Sequence, residues 1–106
     1  MSKRDVVVLG VARSAIGTFG GSLADIEPAE LAGTVMKEAV TRSGVDPKSI
    51  NYVTVGNTIP TESRFPYVAR VAAIQAGLPM DSVAMSVNRL CSSGLQGIVT
   101  LSLIHI

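Results

Sequence analysis

At 106 residues the chain is long enough for one small domain, and nine Lys and Arg residues against eight Asp and Glu give a formal net charge of +1. This balance, without a block of like charge, excludes the basic patches typical of proteins that bind nucleic acids or membrane surfaces. No stretch approaches the roughly 18 apolar residues that a membrane-spanning helix needs. One cysteine and one histidine cannot form a disulfide or a metal site, so we expect a cytoplasmic protein without a metal.

The first predicted element is a strand from Asp5 to Val11. Its continuous apolar character is typical of a strand that is covered on both faces of a sheet. The glycines that follow, Gly17, Gly20 and Gly21, lack the spacing of a dinucleotide-binding loop. We therefore interpret them as part of a flexible connector.

A helix is predicted to begin at Pro28, because proline fits the first helical turn and Glu30 lies near its positive end. Gly44 marks its C-terminal stop. Apolar residues recur at helical spacing and predict a face toward the core: Ala32, Val35, Met36, Ala39 and Val40.

Strands and helices continue to alternate along the rest of the chain. Asp46–Ser49 is predicted as a turn or short helical piece, Tyr52–Gly56 as a strand, Tyr67–Ala76 as a helix and Val83–Val87 as a third strand. The order predicts an α/β fold with a βαβαβα topology, right-handed crossovers and a mainly parallel sheet. Asn57, at the end of a strand, has two open interpretations: a loop cap, which is the commoner use, or a hydrogen-bonding group of an active site.

The only cysteine, Cys91, lies where the third strand passes into a helix predicted to start near Ser92. Unpaired backbone N–H groups and the helix dipole favour the thiolate at such a junction, and the thiolate is the form that attacks carbonyl groups. The small residues Ser92, Ser93 and Gly94 would let a flat acyl group approach the sulfur closely. A lone cysteine is nevertheless often a small buried hydrophobe, and that interpretation stays open at this point.

Val87–Gln96, which reads Val-Asn-Arg-Leu-Cys-Ser-Ser-Gly-Leu-Gln, resembles the acyl-acceptor cysteine motif of the thiolases. Arg13–Gly21 resembles the segment after the first strand of that family, and Pro28–Leu31 resembles the start of its first helix. Gly56-Asn57 and Arg70–Ala73 also fall where the family places similar residues. The five segments occur in order between about Asp5 and about Thr100, so the sequence indicates the N-terminal part of a thiolase.

The resemblance implies an acyltransferase that moves an acyl group between coenzyme A thioesters, in the cleavage of 3-ketoacyl-CoA or the condensation of acetyl-CoA, as in fatty acid metabolism. Cys91 would be the catalytic nucleophile and would carry the acyl group. No cofactor would be permanently bound, the partners would be acyl-CoA and coenzyme A, and the parent protein would be a homo-oligomer, a dimer or a tetramer. Coenzyme A contacts lie in later parts of thiolases, so none is assigned here.

Thiolases are much longer chains, and the segments that carry their activating histidine and second cysteine have no counterpart in this sequence. Only Cys91 can therefore be matched to a catalytic position, and we expect the 106-residue chain alone to be inactive. His105 is the only histidine, and we interpret it as a solvated terminal side chain rather than a catalytic base.

The resemblance ends after Thr100, so we assign residues 1–100 to the N-terminal domain and expect residues 101–106 to be a non-native tail. A transposon end sequence used in preparing sequencing libraries translates to Leu-Ser-Leu-Ile-His-Ile, which is the sequence of 101–106. We expect this tail to break the last helix. The alternative is the native apolar end of that helix.

Two other functions stay open. The ketoacyl synthases share the fold and a cysteine at a strand end, although the sequence of residues 88–94 favours a thiolase. A mean hydropathy of +0.42 with only 4% aromatic residues also suits a non-catalytic, truncated chain that merely associates with other chains through exposed apolar surface.

Overall fold

The computed structural model describes residues 4–61, 63 and 65–106, which form a small α/β unit. Short 3₁₀ turns lie at Pro47–Ser49 and Phe65–Tyr67. The main elements follow in chain order: α1 (Pro28–Ser43), β1 (Tyr52–Gly56), α2 (Val68–Gln75), β2 (Val83–Val87) and α3 (Ser93–His105). No helix in the described part of the chain is long and apolar enough to cross a membrane.

The two strands pair in parallel, with α2 as the crossover between them. Tyr52 lies opposite Val83 at one end of the ladder and Gly56 lies opposite Val87 at the other. The predicted strands Tyr52–Gly56 and Val83–Val87 are confirmed with these bounds, and so is their parallel arrangement. Because the strands end at the same level, the loops that leave them at Asn57 and at Asn88 begin side by side.

The predicted start and the predicted end of α1 are also confirmed. Pro28 is the first helical residue, and Gly44 adopts a left-handed backbone with φ of 72° while its N–H donates to the carbonyl oxygen of Thr41. A left-handed residue just past the last turn is the conformation that favours glycine.

The core lies on the face of the sheet that carries Val53. This side chain packs with Ala73 and Ala76 of α2 and with Leu78, and apolar side chains of α1 cover the cluster. Five residues of α2 and its cap are almost fully buried: Val68, Ala69, Ala72, Ala73 and Ala76. Their small side chains allow α1 and α2 to approach closely, and a Cβ on Gly33 of α1 would lie 3.2 Å from the carbonyl oxygen of Ala72.

Helix α3 covers the opposite face of β1, where Thr54 and Gly56 lie. A Cβ on Gly56 would lie 2.6 Å from the carbonyl carbon of Ser93 and 2.7 Å from the nitrogen of Gly94. A Cβ on Gly97, one turn further along α3, would lie 3.3 Å from the Cγ2 of Thr54. Backbone therefore rests almost directly on backbone where α3 begins, and Gly56 is what permits it.

The predicted first strand from Asp5 to Val11 is wrong for the described chain, because these residues make no ladder. A strand exists only where another backbone supplies hydrogen-bond partners, and this segment instead lies against the end of α1. A Cβ on Gly10 would lie 2.5 Å from the carbonyl oxygen of Ala39, and Arg42 donates to the carbonyl oxygen of Val11 at 3.2 Å. The side chains of residues 6–9 stay largely exposed, so the apolar run lacks the cover that its composition predicts.

The expected break of the last helix at residue 101 is also wrong. Helix α3 runs to His105, and the N–H of Ile106 donates to the carbonyl oxygen of Ser102 at 3.1 Å. Leu101–Ile106 contains no proline or glycine, so nothing in its backbone chemistry opposes continuation of the helix. The non-native origin of residues 101–106 is a separate question and stays a prediction.

Candidate active site

Cys91 lies in the short turn between β2, which ends at Val87, and α3, which begins at Ser93. Its thiol is free and exposed. The predicted position at a strand-to-helix junction is confirmed, and interpretation of the residue as a small buried hydrophobe is wrong. The sulfur is open to a reagent from solvent, which is the first requirement for a nucleophile.

The residue before the cysteine, Leu90, has a left-handed backbone with φ of 50°, the only positive φ outside glycine among the described residues. A non-glycine residue in this region costs on the order of 1–2 kcal/mol. Such a conformation persists only where the surroundings determine it. Here hydrogen bonds from three parts of the fold hold the turn.

Asn88 makes the first of these contacts. Its Oδ1 accepts a hydrogen bond from the Leu90 N–H at 3.0 Å, which closes an Asx turn, and its Nδ2 donates to the carbonyl oxygen of Thr58 at 3.1 Å. The side chain therefore shapes the turn after β2 and ties it to the loop after β1.

Ser93 is the centre of the network. It is the first residue of α3 and is only 4% exposed. Its Oγ accepts from the Arg89 N–H at 2.8 Å and donates to the carbonyl oxygen of Leu90 at 2.7 Å. The Oγ1 of Thr58 donates to the same Leu90 oxygen at 3.1 Å and lies 3.4 Å from the Ser93 Oγ. The Ser93 N–H also donates to that oxygen at 3.1 Å, so donors crowd one side of the Leu90–Cys91 peptide.

The backbone N–H and side-chain amide of Asn57 both donate hydrogen bonds to backbone carbonyl oxygens. Its N–H donates to the carbonyl oxygen of Val87 at 3.0 Å, and its Nδ2 donates to that of Phe65 at 3.4 Å. These bonds favour the loop-cap interpretation over a role in the chemistry. Arg89 reaches outward and donates to the Oε1 of Gln96 at 2.6 Å on the exposed surface of α3.

Three contributors to the site have no prediction from the sequence: Thr58, Leu90 with its left-handed backbone, and Ser93 as a bridging hydroxyl. One local signal was available, because an asparagine two residues before a turn residue is a frequent Asx turn. The contact between Thr58 and Leu90 has no local signal, since the two residues are 32 positions apart and meet only through the sheet.

His105 lies at the other end of α3 from Cys91, a helix of 13 residues that spans about 20 Å at 1.5 Å per residue. It is not brought near the thiol. Within the described ranges no group of three His, Cys, Asp or Glu side chains could hold a metal ion. The described part of the site consists of an exposed thiol and a turn that hydrogen bonds hold.

Comparison with known proteins gives a match over nearly the whole chain. The sequence model of the thiolase N-terminal domain matches residues 6–103. The beta-ketothiolase BktB of Cupriavidus necator is 50% identical over 97 residues, which are 92% of this chain and 25% of that protein. An acetyl-CoA acetyltransferase sequence from Clostridioides difficile is 37% identical over 93 residues, and there the match covers 88% of this chain and 86% of the relative.

Solved structures give the same result for the fold. Human mitochondrial 3-ketoacyl-CoA thiolase in complex with CoA superposes with a TM-score of 0.87 at 32% identity, over 91% of this chain and 24% of that one. The acetyl-CoA acetyltransferase of Bacillus anthracis superposes with a TM-score of 0.84 at 41% identity, over 91% and 24% of the two chains. Our chain spans about a quarter of the length of most of these relatives.

Proposed function

Because the chain belongs to the thiolase family, we propose that it carries the nucleophile of a coenzyme A-dependent acyltransferase and that this nucleophile is Cys91. The observation that supports the proposal is the exposed thiol of Cys91 on a turn that hydrogen bonds hold at the end of a parallel strand. The carboxyl ends of parallel strands are where open α/β sheets place their chemistry. Names of relatives, acetyl-CoA acetyltransferase and 3-ketoacyl-CoA thiolase, support an acyl-CoA as the substrate.

The proposed chemistry is acyl transfer through the sulfur of Cys91, written first for the condensing direction. A base removes the thiol proton of Cys91, and the thiolate attacks the carbonyl carbon of an acyl-CoA. A bond forms between that carbon and Sγ, the bond from the carbon to the sulfur of coenzyme A breaks, and coenzyme A leaves as a thiolate that takes up a proton. The acyl group then passes to the carbanion of acetyl-CoA, and the bond from the acyl carbon to Sγ breaks so that Cys91 leaves as a thiolate. In cleavage the thiolate attacks the 3-keto carbon of a 3-ketoacyl-CoA instead, the bond from that carbon to its neighbour breaks, and acetyl-CoA leaves as a carbanion that takes up a proton. A second coenzyme A then takes the acyl group from Sγ.

The Cys91 N–H is the proposed donor to the oxygen of the attacked carbonyl. No backbone hydrogen bond from this N–H to another described residue outside the helices and strands is found, which supports the proposal. Such a donor acts on the charge that develops in the transition state and contributes strongly to acyl transfer.

The base is the group that the described chain does not place near the thiol. The only histidine is at the far end of α3, so we propose that the 106-residue chain is acylated slowly and does not turn over. For the enzyme as a whole we propose coenzyme A thioesters as substrates, no permanently bound cofactor, assembly as a homo-oligomer and a place in the cytoplasm.

The first test is acylation of the purified chain. After incubation with acetyl-CoA, intact-mass spectrometry and peptide mapping should find one acetyl group on Cys91, and the Cys91→Ala variant should stay unmodified. Acetylation of lysines alone, at equal levels in both proteins, would contradict the proposal.

The second test is turnover in a chimera. The 97 residues that match the Cupriavidus necator beta-ketothiolase at 50% identity replace the corresponding segment of that protein. We expect thiolysis of a 3-ketoacyl-CoA by the folded chimera and a loss of at least about 10³-fold on Cys91→Ala. A folded chimera whose activity survives that substitution would show that Cys91 is not the nucleophile.

A further inference from the structure

The peptide bond between Leu90 and Cys91 connects the hydrogen-bond network to the proposed oxyanion donor. This peptide is trans and planar, so its C=O and its N–H point in opposite directions. The oxygen belongs to Leu90 and the N–H belongs to Cys91. Whatever fixes the direction of the oxygen therefore fixes the direction of the N–H.

Two side-chain hydroxyls hold that oxygen. The Ser93 Oγ donates to it at 2.7 Å and the Thr58 Oγ1 donates at 3.1 Å, from α3 and from the loop after β1 respectively. Ser93 is almost fully buried, and its hydroxyl also accepts from the Arg89 N–H, so it cannot rotate away without leaving a donor unpaired. Because the peptide is trans, the N–H of Cys91 points away from the oxygen that both hydroxyls hold.

We propose that Thr58 and Ser93 are positioning residues, which aim the Cys91 N–H at the substrate carbonyl by holding the oxygen on the other side of the same peptide. The two hydroxyls also polarise the peptide, because a carbonyl that accepts hydrogen bonds makes its own N–H a better donor. The inference rests on the proposed function, since it needs a thioester carbonyl to be attacked at Cys91. It adds two residues that act through the Leu90–Cys91 peptide.

The experiment compares two reactions of the same thiol. Acylation by S-acetyl-N-acetylcysteamine, a small thioester, develops charge on a carbonyl oxygen and so needs the aimed N–H. Alkylation by iodoacetamide is a displacement at carbon and does not need an oxyanion donor. Both reactions use the thiolate, so the ratio of the two rates at one pH cancels any change in thiol ionisation or exposure.

The variants are chosen to separate the hydroxyl from the shape of the side chain. Thr58→Val removes the hydroxyl and keeps the branched form, Thr58→Ser keeps the hydroxyl, and Ser93→Ala removes the second donor. We expect the ratio of acylation to alkylation to fall about tenfold in Thr58→Val and Ser93→Ala, and to stay within about twofold of the parent chain in Thr58→Ser.

An unchanged ratio in Thr58→Val would overturn the positioning role. A parallel loss of both rates, with no change in their ratio, would also overturn it, because that result describes a structural role only. If the parent chain is alkylated but never acylated, the proposed function fails together with the inference. Failure of the positioning role alone is recognised by normal acylation of the parent chain.

Discussion

The two faces of the sheet are built in different ways. On the face of Val53, alanines of α2 fill a dry cluster, and Ala72 is 0% exposed. On the face of Gly56, only Ser93 and Gly97 of α3 are buried, while Leu95 is 66% and Ile98 is 61% exposed. One face is held by apolar packing, whereas α3 is held on the other by a close approach of backbones and, at its first residue, by the hydrogen bonds of Ser93.

The difference separates stability from chemistry in this chain. Apolar burial is non-directional and stabilises α2 without specifying the position of any one atom to a fraction of an ångström. Hydrogen bonds and backbone contacts contribute less to stability but fix distances and angles. Cys91 lies in the turn just before α3, which the second kind of contact holds.

The strongest way to break the chemical face is Gly56→Ala. The added Cβ would lie 2.6 Å from the Ser93 carbonyl carbon, which is backbone and cannot rotate aside, so the start of α3 must move. We expect a loss of about 3 kcal/mol in the free energy of unfolding, measured by urea denaturation, with a fall in the ratio of acylation to alkylation of Cys91.

Gly94→Ala is the matched control for that substitution. A Cβ on Gly94 meets nothing within 4 Å, and alanine favours the helix, so stability should hold or rise by up to about 1 kcal/mol. Equal destabilisation by the two substitutions would mean that α3 does not rest on Gly56 as described.

Val53→Ala weakens the apolar face instead. It removes two methyl groups from a side chain that is buried in the cluster with Ala73 and Leu78, and we expect it to cost about 2 kcal/mol in the free energy of unfolding. Cys91 should keep the acylation to alkylation ratio of the parent chain under conditions where the variant is folded. A changed ratio would contradict the separation of the two faces.

The smallest expected effect on stability comes from the outer surface of α3. Replacing Leu95 and Ile98 together with Gln should change the free energy of unfolding by no more than about 0.5 kcal/mol, because both side chains are exposed. The double substitution should nevertheless lower self-association of the chain, measured by sedimentation velocity, because it removes exposed apolar surface.

Lys37→Gln, on the exposed side of α1, serves as the control for a change of polarity elsewhere. If the parent chain sediments as a monomer at all concentrations tested, the alternative of a chain that only associates loses its support.

The sequence predicted the elements whose signals are local. Pro28 and Gly44 mark α1, and short apolar runs mark β1 and β2, because capping and strand propensity act over a few residues. Asp5–Val11 carries the same kind of run and forms no strand, since pairing depends on a neighbour that a run cannot specify. The prediction that residues 101–106 break α3 is wrong for a different reason. A helix that has already begun continues through residues that do not oppose it.

For the candidate site the sequence predicted the position of Cys91 and the small residues after it. It did not predict that Ser93 would be a buried hydrogen-bonding residue or that Thr58 would reach Leu90. Those contacts depend on how β1 and β2 are aligned, and a side-chain hydrogen bond across 32 residues leaves no periodic trace. The proposed nucleophile could be recognised from the residues next to it in sequence. Thr58 and Ser93 could be identified as its supporting residues only from the three-dimensional structure.

The register of the two strands, from the pair Tyr52–Val83 to the pair Gly56–Val87, determines where Thr58 lies relative to the turn that carries Cys91. Deleting one residue from β1 would draw Thr58 back by about 3.3 Å and turn it to the other side of the sheet, while residues 87–96 kept every letter of their motif. A search for that motif would still find such a protein. Only the length of β1, which lies far from Cys91 in sequence, would reveal that the turn had lost its hydrogen bond from Thr58.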